Sequence, residues 1–331
     1  MKAINFKDFG EADVLQLGDA PDPVLRAHDL LVRNHAVGVN RADLTHRRGG
    51  YGRANFGDSD IMGLEIAGEV IAAGAEVDGF RTGDRVMGIV GGGAYAEIAR
   101  IDYRMAMPIP ESLDYVHAAA IPEVFVTAHE ALVHLGRLQA GDAVLIHAAA
   151  GGVGSAAVQL AHAIGAKVFA TADASKLERV HQLGADRGID YKTEDFATVI
   201  AEATDGRGVD VVIDFVGAPY LERNLLCLAD GGRLIQVGLM GGGKNAAMPL
   251  DRLLYGHLQI IGTVMKSRPR HIKQAMVRRF SEQWLHHFEQ GHLTPVLDSV
   301  FPLSKASDAH RRMESGLNVG KIILTTFGDL A

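Results

Sequence analysis

A glycine-rich turn in the segment HAAAGGVGSAAVQLA, residues 147–161, is well suited to bind a charged ligand. It follows the strand-like run DAVLIHA and opens an amphipathic helix predicted over residues 152–164. Ala149, Gly151 and Gly154 form an A-x-G-x-x-G variant of the dinucleotide-binding fingerprint. Gly151 would let the backbone approach a pyrophosphate, and Gly154 would let the helix pack against the strand. A tight turn in another kind of doubly wound protein is the alternative.

The end of the second strand of this region bears on which dinucleotide is bound. An NAD site usually has an acidic residue there, whereas this strand ends near the neutral Thr171 and is followed by Lys176. Asp173 is the opposing feature, because a carboxylate aimed at the ribose would repel a 2′-phosphate. Lys176 could also be a solvated charge, and Ser175 a helix cap. The sequence favours NADPH and leaves NADH open.

The elements around this turn alternate between strand and helix from about residue 123 onward. The runs predicted as strands are DAVLIHA, KVFAT, RGIDY, DVVIDFVG, RLIQVG and QIIGTV, and helical patterns separate most of them. Such alternation predicts a six-stranded parallel sheet with helices on both faces.

Cys227 is predicted to be a packing residue in the middle of the helix after the fourth strand.

The first third of the chain is predicted to be mostly β-structure. Strand-like runs cover residues 30–40, 65–74, 84–90 and 94–101, and one short helix is expected over 41–48. Near the other end, a long helix precedes a segment with helix-then-strand character, which ends in NVGKIILTTF. That last strand is expected to rejoin the first domain.

Composition narrows the class of protein. The chain has 331 residues, a net charge of -7 and one cysteine, so nucleic-acid binding, an anionic membrane surface and internal disulfides are not expected. The N-terminus lacks the apolar core of a signal peptide, and no apolar run reaches the length that spans a bilayer. These features predict a cytoplasmic enzyme of about two domains.

Motifs along nearly the whole chain carry a resemblance to a known family. They are VGVNRADLTHRRGGY, MGLEIAGEVIAAGAEVDGFRTGDRVMG, AAIPEVFVTAHEAL, HAAAGGVGSAAVQLA, VIDFVG and NVGKIIL. The chain resembles a zinc-independent medium-chain dehydrogenase/reductase of the quinone oxidoreductase, or zeta-crystallin-like, group. AAIPE, GLMGGG and GTVMKSRP are similar to the branch of quinone reductases induced by a tumour suppressor in animals.

The resemblance implies an α/β architecture of two domains. A GroES-like β domain would comprise residues 1–122, completed by 268–331, and would carry the substrate and catalytic residues. A Rossmann domain, a doubly wound parallel sheet of six strands, would comprise residues 123–267 and bind NADPH. The active site would lie in the cleft between them, and a homodimer is expected.

The resemblance also bears on metal binding. Zinc-dependent relatives have a Cys at the position of Asn40 and a His at that of Leu64, and neither residue present here is a usual zinc ligand. Cys227 alone excludes a four-cysteine structural lobe, and the histidines lack ligand spacing. No metal is therefore expected. Without one, the enzyme needs an acceptor that is easily reduced, namely a quinone or an activated alkene.

Two residues are the catalytic candidates implied by the family match. Asn40, in VNRAD, would sit near the nicotinamide ribose and the substrate; helix N-capping together with Asp43 is its compatible structural role. Tyr51 would border the cofactor and donate a hydrogen bond or proton to a developing oxyanion. Its alternative role is a loop aromatic that packs on the domain edge.

The cofactor contacts implied by the match are spread along the second domain. Turn, packing or surface roles remain the alternatives for most of them. The residues are Thr127, Gly151, Gly152, Val153, Gly154, Lys176, Tyr191, Gly238, Leu239, Met240, Thr263 and Met265.

The function expected from these features is NADPH-dependent reduction of a quinone by hydride transfer. Reduction of an enone, enal or enoyl thioester is the second possibility, and Arg268 and Arg270 are the candidates for a basic rim that would hold a thioester's phosphates. A protein that binds NADPH without meaningful turnover is the third.

Overall fold

The computed structural model describes residues 1–50 and 59–326. The chain divides into two compact units: Met1–Val126 with Pro269–Ala331, here the first unit, and Thr127–Arg268, the second. The strands are β1 Lys2–Asn5, β2 Gln16–Asp19, β3 Asp29–Val39, β4 Glu65–Ala73, β5 Arg85–Ile89, β6 Ile98–Asp102, β7 Ala106–Pro108, β8 Ala143–Ile146, β9 Lys167–Ala172, β10 Arg187–Asp190, β11 Val209–Asp214, β12 Leu228–Gln236, β13 Gln259–Gly262, β14 Leu297–Pro302 and β15 Lys321–Thr325.

The helices are shorter and are distributed over both units. They are α1 Arg41–Arg47, α2 Tyr115–Ala118, α3 Pro122–His129, α4 Gly152–Ile164, α5 Leu177–Gln182, α6 Phe196–Ala203, α7 Leu221–Leu226, α8 Leu250–Tyr255, α9 Arg270–Trp284, α10 His286–Glu289 and α11 Ala306–Glu314.

The first unit is built on a mixed sheet with the order β14-β15-β3-β4-β5-β7, and β6 also pairs with β3. The C-terminal strand β15 runs antiparallel to β3, with Ile322 opposite Val39, and β3 runs antiparallel to β4, with Val37 opposite Ile66. This register places the start of β15, the end of β3 and the start of β4 side by side. Residues from three distant parts of the chain therefore meet at one end of the sheet.

The second unit contains the predicted six-stranded parallel sheet, in the order β10-β9-β8-β11-β12-β13. Its strands are apolar because helices cover both faces. Leu145, Phe169, Ile189, Val212 and Leu234, one from each of five strands, belong to one buried cluster. The strand order reverses between β8 and β11, where doubly wound sheets bind ligands at the carboxyl ends of their strands. The predicted fold class is confirmed.

The predicted environment of Cys227 is wrong in its secondary structure. Helix α7 ends at Leu226, and β12 begins at Leu228 rather than near residue 233. Leu228 pairs with Val209 before a register shift, and Gly231 has a φ of 77°. This bulge interrupts the alternation of apolar residues along β12. The first residues of β12 were therefore not predicted as a strand. Cys227 is nevertheless buried, as predicted.

Candidate functional site

The glycine turn joins β8 to the N-terminus of α4. Gly151 is the N-cap residue, and its N–H donates to the carbonyl oxygen of Ala148 at 2.9 Å. The N–H of Ala149 donates to the carbonyl oxygen of Thr171 at 2.9 Å, which ties the turn to the neighbouring strand β9. The first N–H groups of a helix have no acceptor within that helix, so this turn presents donors to an anion.

Gly154 lies where α4 approaches the turn most closely. A Cβ at this position would be 2.7 Å from the Cα of Ala149 and closer still to the carbonyl oxygen of Ala148. At Gly151 a Cβ would meet the Ala148 oxygen at 3.3 Å. The contact at Gly154 is with backbone, which has little room to move. The turn thus has the small-residue cradle that a dinucleotide pyrophosphate requires.

Replacing Gly154 by Ala is expected to lower the free energy of unfolding by about 1–3 kcal/mol, as overpacking does in other cores. It should also weaken binding of both NADPH and NADH, because the helix N-terminus would be displaced. Gly262→Ala is the control for the unfolding measurement, since nothing lies within 4 Å of a Cβ there. Urea unfolding and nucleotide titration test both effects. Equal behaviour of the two variants would contradict the role of Gly154.

A buried chain of hydrogen bonds links the end of β8, just before the glycine turn, to β9, α7 and β11. His147 contacts Thr171 Oγ1 through Nδ1 at 3.0 Å and Asn224 Oδ1 through Nε2 at 2.8 Å. Asn224 Nδ2 donates to Asp214 Oδ2 at 3.1 Å, so its Oδ1 must accept from His147, and Nδ1 accepts from Thr171. Burial lowers the pKa of His147 to about 4, which keeps the ring neutral. The Thr171 hydroxyl therefore points into the unit.

The carboxyl ends of β9 and β10 hold the residues predicted for the adenosine end. Lys176 is half-buried, and Tyr191 is 47% exposed. Asp173 pairs through Oδ2 with the ammonium of Lys192, and its Oδ1 accepts from the N–H and hydroxyl of Ser175 at 3.0 and 2.7 Å. Asp173, rather than Ser175, is thus the helix cap. Lys192 was not anticipated from the sequence.

The remaining predicted contacts of the second unit follow β12 and β13, except for Thr127 in α3. Leu239 and Met240 are 58% and 51% exposed, whereas Met265 is buried. Thr263 Oγ1 accepts from Arg268 Nη2 at 3.2 Å. Gly151, Gly152, Val153 and Gly154 lie in the turn described above, and Gly238, Leu239, Met240, Thr263 and Met265 lie at or just beyond the carboxyl ends of their strands.

In the first unit, Asn40 links β3 to α1. Its N–H donates to Asp43 Oδ2 at 2.8 Å, and the N–H of Asp43 donates to its carbonyl oxygen at 2.9 Å. The side chain has other partners: Nδ2 donates to Glu65 Oε1 at 2.9 Å, and Oδ1 accepts from Lys321 Nζ at 2.8 Å. These two partners fix the orientation of the Asn40 amide. Tyr51 lies outside the described residues.

Lys321 and Glu65 form a buried ion pair beside Asn40. The Lys321 ammonium donates to Glu65 Oε1 and, at 2.9 Å, to the carbonyl oxygen of Val39. Glu65 Oε2 accepts from the backbone N–H of Glu123 at 2.9 Å, at the N-terminus of α3, where a negative charge is favoured. A fixed cation thus lies against Asn40 and Glu65. Sequence reasoning missed it; the only signal was a lysine opening the apolar run KIILTTF.

Two further carboxyl groups near this pair have raised pKa values. Burial raises the pKa of Asp43 to about 7. Burial and the Glu65 charge raise the pKa of Glu123 to about 8. Asp43 Oδ1 and Glu123 Oε2 are buried without hydrogen-bond partners among the described residues, so neither oxygen receives a donor that would favour the ionised form. The surroundings of Asn40 therefore gain or lose protons close to neutral pH.

A second chain of hydrogen bonds runs from Asp43 to α11. Tyr95 donates its hydroxyl proton to Asp43 Oδ2 at 3.2 Å and contacts His310 Nε2 at 3.0 Å. Arg47 donates to His310 Nδ1 at 3.3 Å and pairs with Glu314. Burial and the charge of Arg47 lower the pKa of His310 to about 3. A neutral ring with Nε2–H completes this chain and holds the base of α1 in place.

The described residues contain neither a metal-ligand cluster nor a membrane-spanning helix. Within residues 1–50 and 59–326, no three or more His, Cys, Asp or Glu side chains are grouped to hold a metal ion. The described helices include none that is long and apolar enough to cross a membrane.

Both units of the chain are similar in sequence to known proteins. Residues 26–111 match the alcohol dehydrogenase GroES-like domain, and residues 152–282 match a domain described as zinc-binding dehydrogenase. Quinone oxidoreductase of Rattus norvegicus is 35% identical over 329 residues, covering 98% of this chain and 97% of that protein.

Solved structures agree with this likeness. Escherichia coli quinone oxidoreductase complexed with NADPH superposes with a TM-score of 0.88 at 28% identity, covering 98% of this chain and 100% of the other. The CurK enoyl reductase superposes with a TM-score of 0.85 at 28% identity and 98% coverage of both chains.

Proposed function

The chain belongs to the quinone oxidoreductase family of medium-chain dehydrogenases/reductases, and from that premise we propose that it reduces quinones with NADPH, without zinc. The observation that carries the proposal is the glycine turn, whose Gly154 tolerates no side chain at the N-terminus of the 13-residue helix α4. NADPH bound there would supply the hydride. The protein's own part is to hold cofactor and acceptor together and to exclude water.

The proposed division of labour follows the two units. Gly151, Gly152, Val153 and Gly154 bind the pyrophosphate, while Lys176 and Tyr191 bind the adenosine phosphate. Thr127, Gly238, Leu239, Met240, Thr263 and Met265 contact the remainder of the cofactor. Asn40, near the nicotinamide ribose and the acceptor, and Tyr51, bordering the cofactor and the acceptor pocket, are the proposed catalytic residues.

Zinc independence is supported by what surrounds Asn40. The positions at which zinc-dependent relatives carry Cys and His are Asn40 and Leu64 here. Asn40 and the adjacent Glu65 instead bind the ammonium of Lys321. The local positive charge is therefore a side chain, which can orient groups but offers no open coordination position to an alcohol.

Side-by-side oxidation of NADPH and NADH with an ortho-quinone acceptor tests the proposal. Turnover with NADPH and little with NADH is the expected result. A preference for NADH would overturn the cofactor assignment, and no turnover with either would overturn the quinone assignment. The likeness to an enoyl reductase makes an enone and an enoyl thioester the next acceptors to assay.

One observation weighs against an enoyl thioester. Of the two arginines available for a basic rim, Arg270 is already paired, since its Nε lies 2.9 Å from Asp102 Oδ2. Asp102 is buried and also binds Arg104 and Gln274. Arg270 thus helps to fix α9 in the first unit, and a quinone, which has no phosphates, needs no such rim.

We further propose that two copies of the chain associate through β13, the last strand of the second unit's sheet. Ile260 on this strand is 37% exposed, and Leu254 and Tyr255 on the nearby helix α8 are 66% and 77% exposed. An exposed apolar edge strand pairs readily with another strand, and a second copy supplies one.

Ile260→Asp is expected to convert the dimer to monomer, because it would bring a charge from each copy into the apolar contact. Light scattering coupled to size-exclusion chromatography gives the mass directly. Val24→Asp is the control, since Val24 is 74% exposed and lies in the first unit. A dimeric Ile260→Asp protein, or a monomeric wild type, would contradict the proposal.

A further inference from the structure

The ion pair between Asp173 and Lys192 lies where the adenine ribose of a dinucleotide is bound in doubly wound sheets. Strands β9 and β10 are parallel neighbours, with Asp190 opposite Ala172, and the N–H of Tyr191 donates to the carbonyl oxygen of Ala172 at 3.3 Å. Asp173 directly follows the first of these strands, and Lys192 lies two residues beyond the second. Both side chains are therefore at the carboxyl edge of the sheet.

The Asp173 carboxylate is fully engaged in this arrangement. One oxygen binds the Lys192 ammonium, and the other accepts two hydrogen bonds from Ser175. These bonds, that of Lys192 first, hold the pKa of Asp173 well below its usual range. The group is thus ionised but neutralised by its partner, and its oxygens are directed at protein donors. An acidic residue that selects NAD would instead have oxygens available for the ribose hydroxyls.

We propose that Lys192 is the residue that makes this site accept a 2′-phosphate, by neutralising Asp173 and keeping its remaining ammonium donors beside Tyr191. The inference rests on the proposed binding of a dinucleotide at the glycine turn. The inference assigns the preference for NADPH to the pair Asp173 and Lys192. With only the neutral Thr171 and the cationic Lys176 nearby, Asp173 would be an unpaired carboxylate that repels the 2′-phosphate.

Lys192 has the exposure and the donors for this role. Its side chain is 58% exposed, and Nζ lies 6.0 Å from the ring centroid of Tyr191. An ammonium has three donors, and the Asp173 carboxylate uses only part of that capacity. The Thr171 hydroxyl, by contrast, is turned inward onto His147 and is committed to the protein.

Equilibrium binding without any acceptor tests the inference independently of turnover. NADPH and NADH are titrated against wild type, Lys192→Met and Lys192→Met/Asp173→Asn, and the ratio of the two dissociation constants is compared. Methionine keeps the shape of lysine without its charge, and asparagine still caps the 3-10 helix Ala174–Lys176. Arg207→Met is the matched control, because Arg207 is equally exposed and paired with Asp210 at the amino end of β11.

In Lys192→Met, the preference for NADPH over NADH should fall at least tenfold, mainly through weaker NADPH binding, because Asp173 is left as an unpaired carboxylate. The double variant should recover most of the preference, and Arg207→Met should match wild type. An unchanged ratio in Lys192→Met, or no recovery in the double variant, would overturn the inference. Failure of the wild type to bind either nucleotide would instead overturn the proposed function on which it rests.

Discussion

Replacing Lys321 by Met is expected to lower the free energy of unfolding by about 3 to 5 kcal/mol, the cost of removing one partner of a buried ion pair. Glu65 is completely buried, so its charge would lose the ammonium and gain no water. Asn40 Oδ1 and the Val39 carbonyl oxygen would each lose a donor as well. Urea unfolding at pH 7 measures the loss. Lys2→Met, which breaks the exposed Lys2–Asp19 pair, is the control and should not change stability measurably.

A second variant separates the loss of charge balance from the loss of packing. In Glu65→Gln/Lys321→Met both partners are neutral, and Gln can still accept from the N–H of Glu123. This protein should be more stable than Lys321→Met, because no unpaired charge is buried. If the double variant is no more stable than the single one, charge balance is not the function of Lys321.

Local patterns were sufficient to predict the second unit. The strand–helix alternation and the glycine turn are contiguous in sequence, and their physical causes, periodic burial and close packing at Gly154, act over a few residues. The start of β12 was missed for the same reason: the bulge at Gly231 breaks the period on which the prediction depends.

The environment of Asn40 could not be predicted in the same way. The one structural role suggested by its sequence context is capping of the helix that follows, and the structure shows the N–H of Asn40 donating to Asp43 Oδ2 as that role requires. Its side-chain partners come from Glu65 and Lys321, which are 25 and 281 residues away in sequence. Only the register of β15 and β4 on β3 brings them together, and such register has no local sequence signal.

The same limit applies to Lys192. Thr171, Lys176 and Asp173 follow one strand and could be weighed against each other from the sequence. The partner that decides the charge of Asp173 follows a different strand, β10. Lateral neighbours in a parallel sheet are separated by a whole helix in sequence, so such pairs emerge only from the folded sheet.

Glu123→Gln is expected to gain stability relative to wild type as the pH rises from about 4.5 to about 8. Burial, and then the charge of Glu65, raises the pKa of Glu123 from its ordinary 4.5 to about 8, while Lys321 and Lys273 act in the opposite direction. A carboxyl group with a raised pKa binds its proton more tightly in the folded state. Its stabilising contribution is therefore complete below pH 4.5 and is lost by pH 8.

The size of this effect follows from the linkage between protons and folding. One unit of pKa shift corresponds to about 1.4 kcal/mol, so the difference between Glu123→Gln and wild type should change by an amount on the order of 4 kcal/mol across this range. Comparing the two proteins at each pH cancels the contributions of His147 and His310, whose lowered pKa values destabilise the folded state as the pH falls below about 6.5.

Urea unfolding of both proteins at half-unit intervals from pH 4.5 to 8.5 measures the difference directly. Asp43→Asn should show the same direction over a range that ends near pH 7, because that is where the pKa of Asp43 lies. A difference that stays constant with pH would mean that Glu123 is ionised throughout and that the Lys321 ammonium serves both glutamates. If the stability of Glu123→Gln relative to wild type rises with pH, the Glu123 carboxyl group on α3 retains its proton in the folded state. That group lies next to the ion pair that orients Asn40.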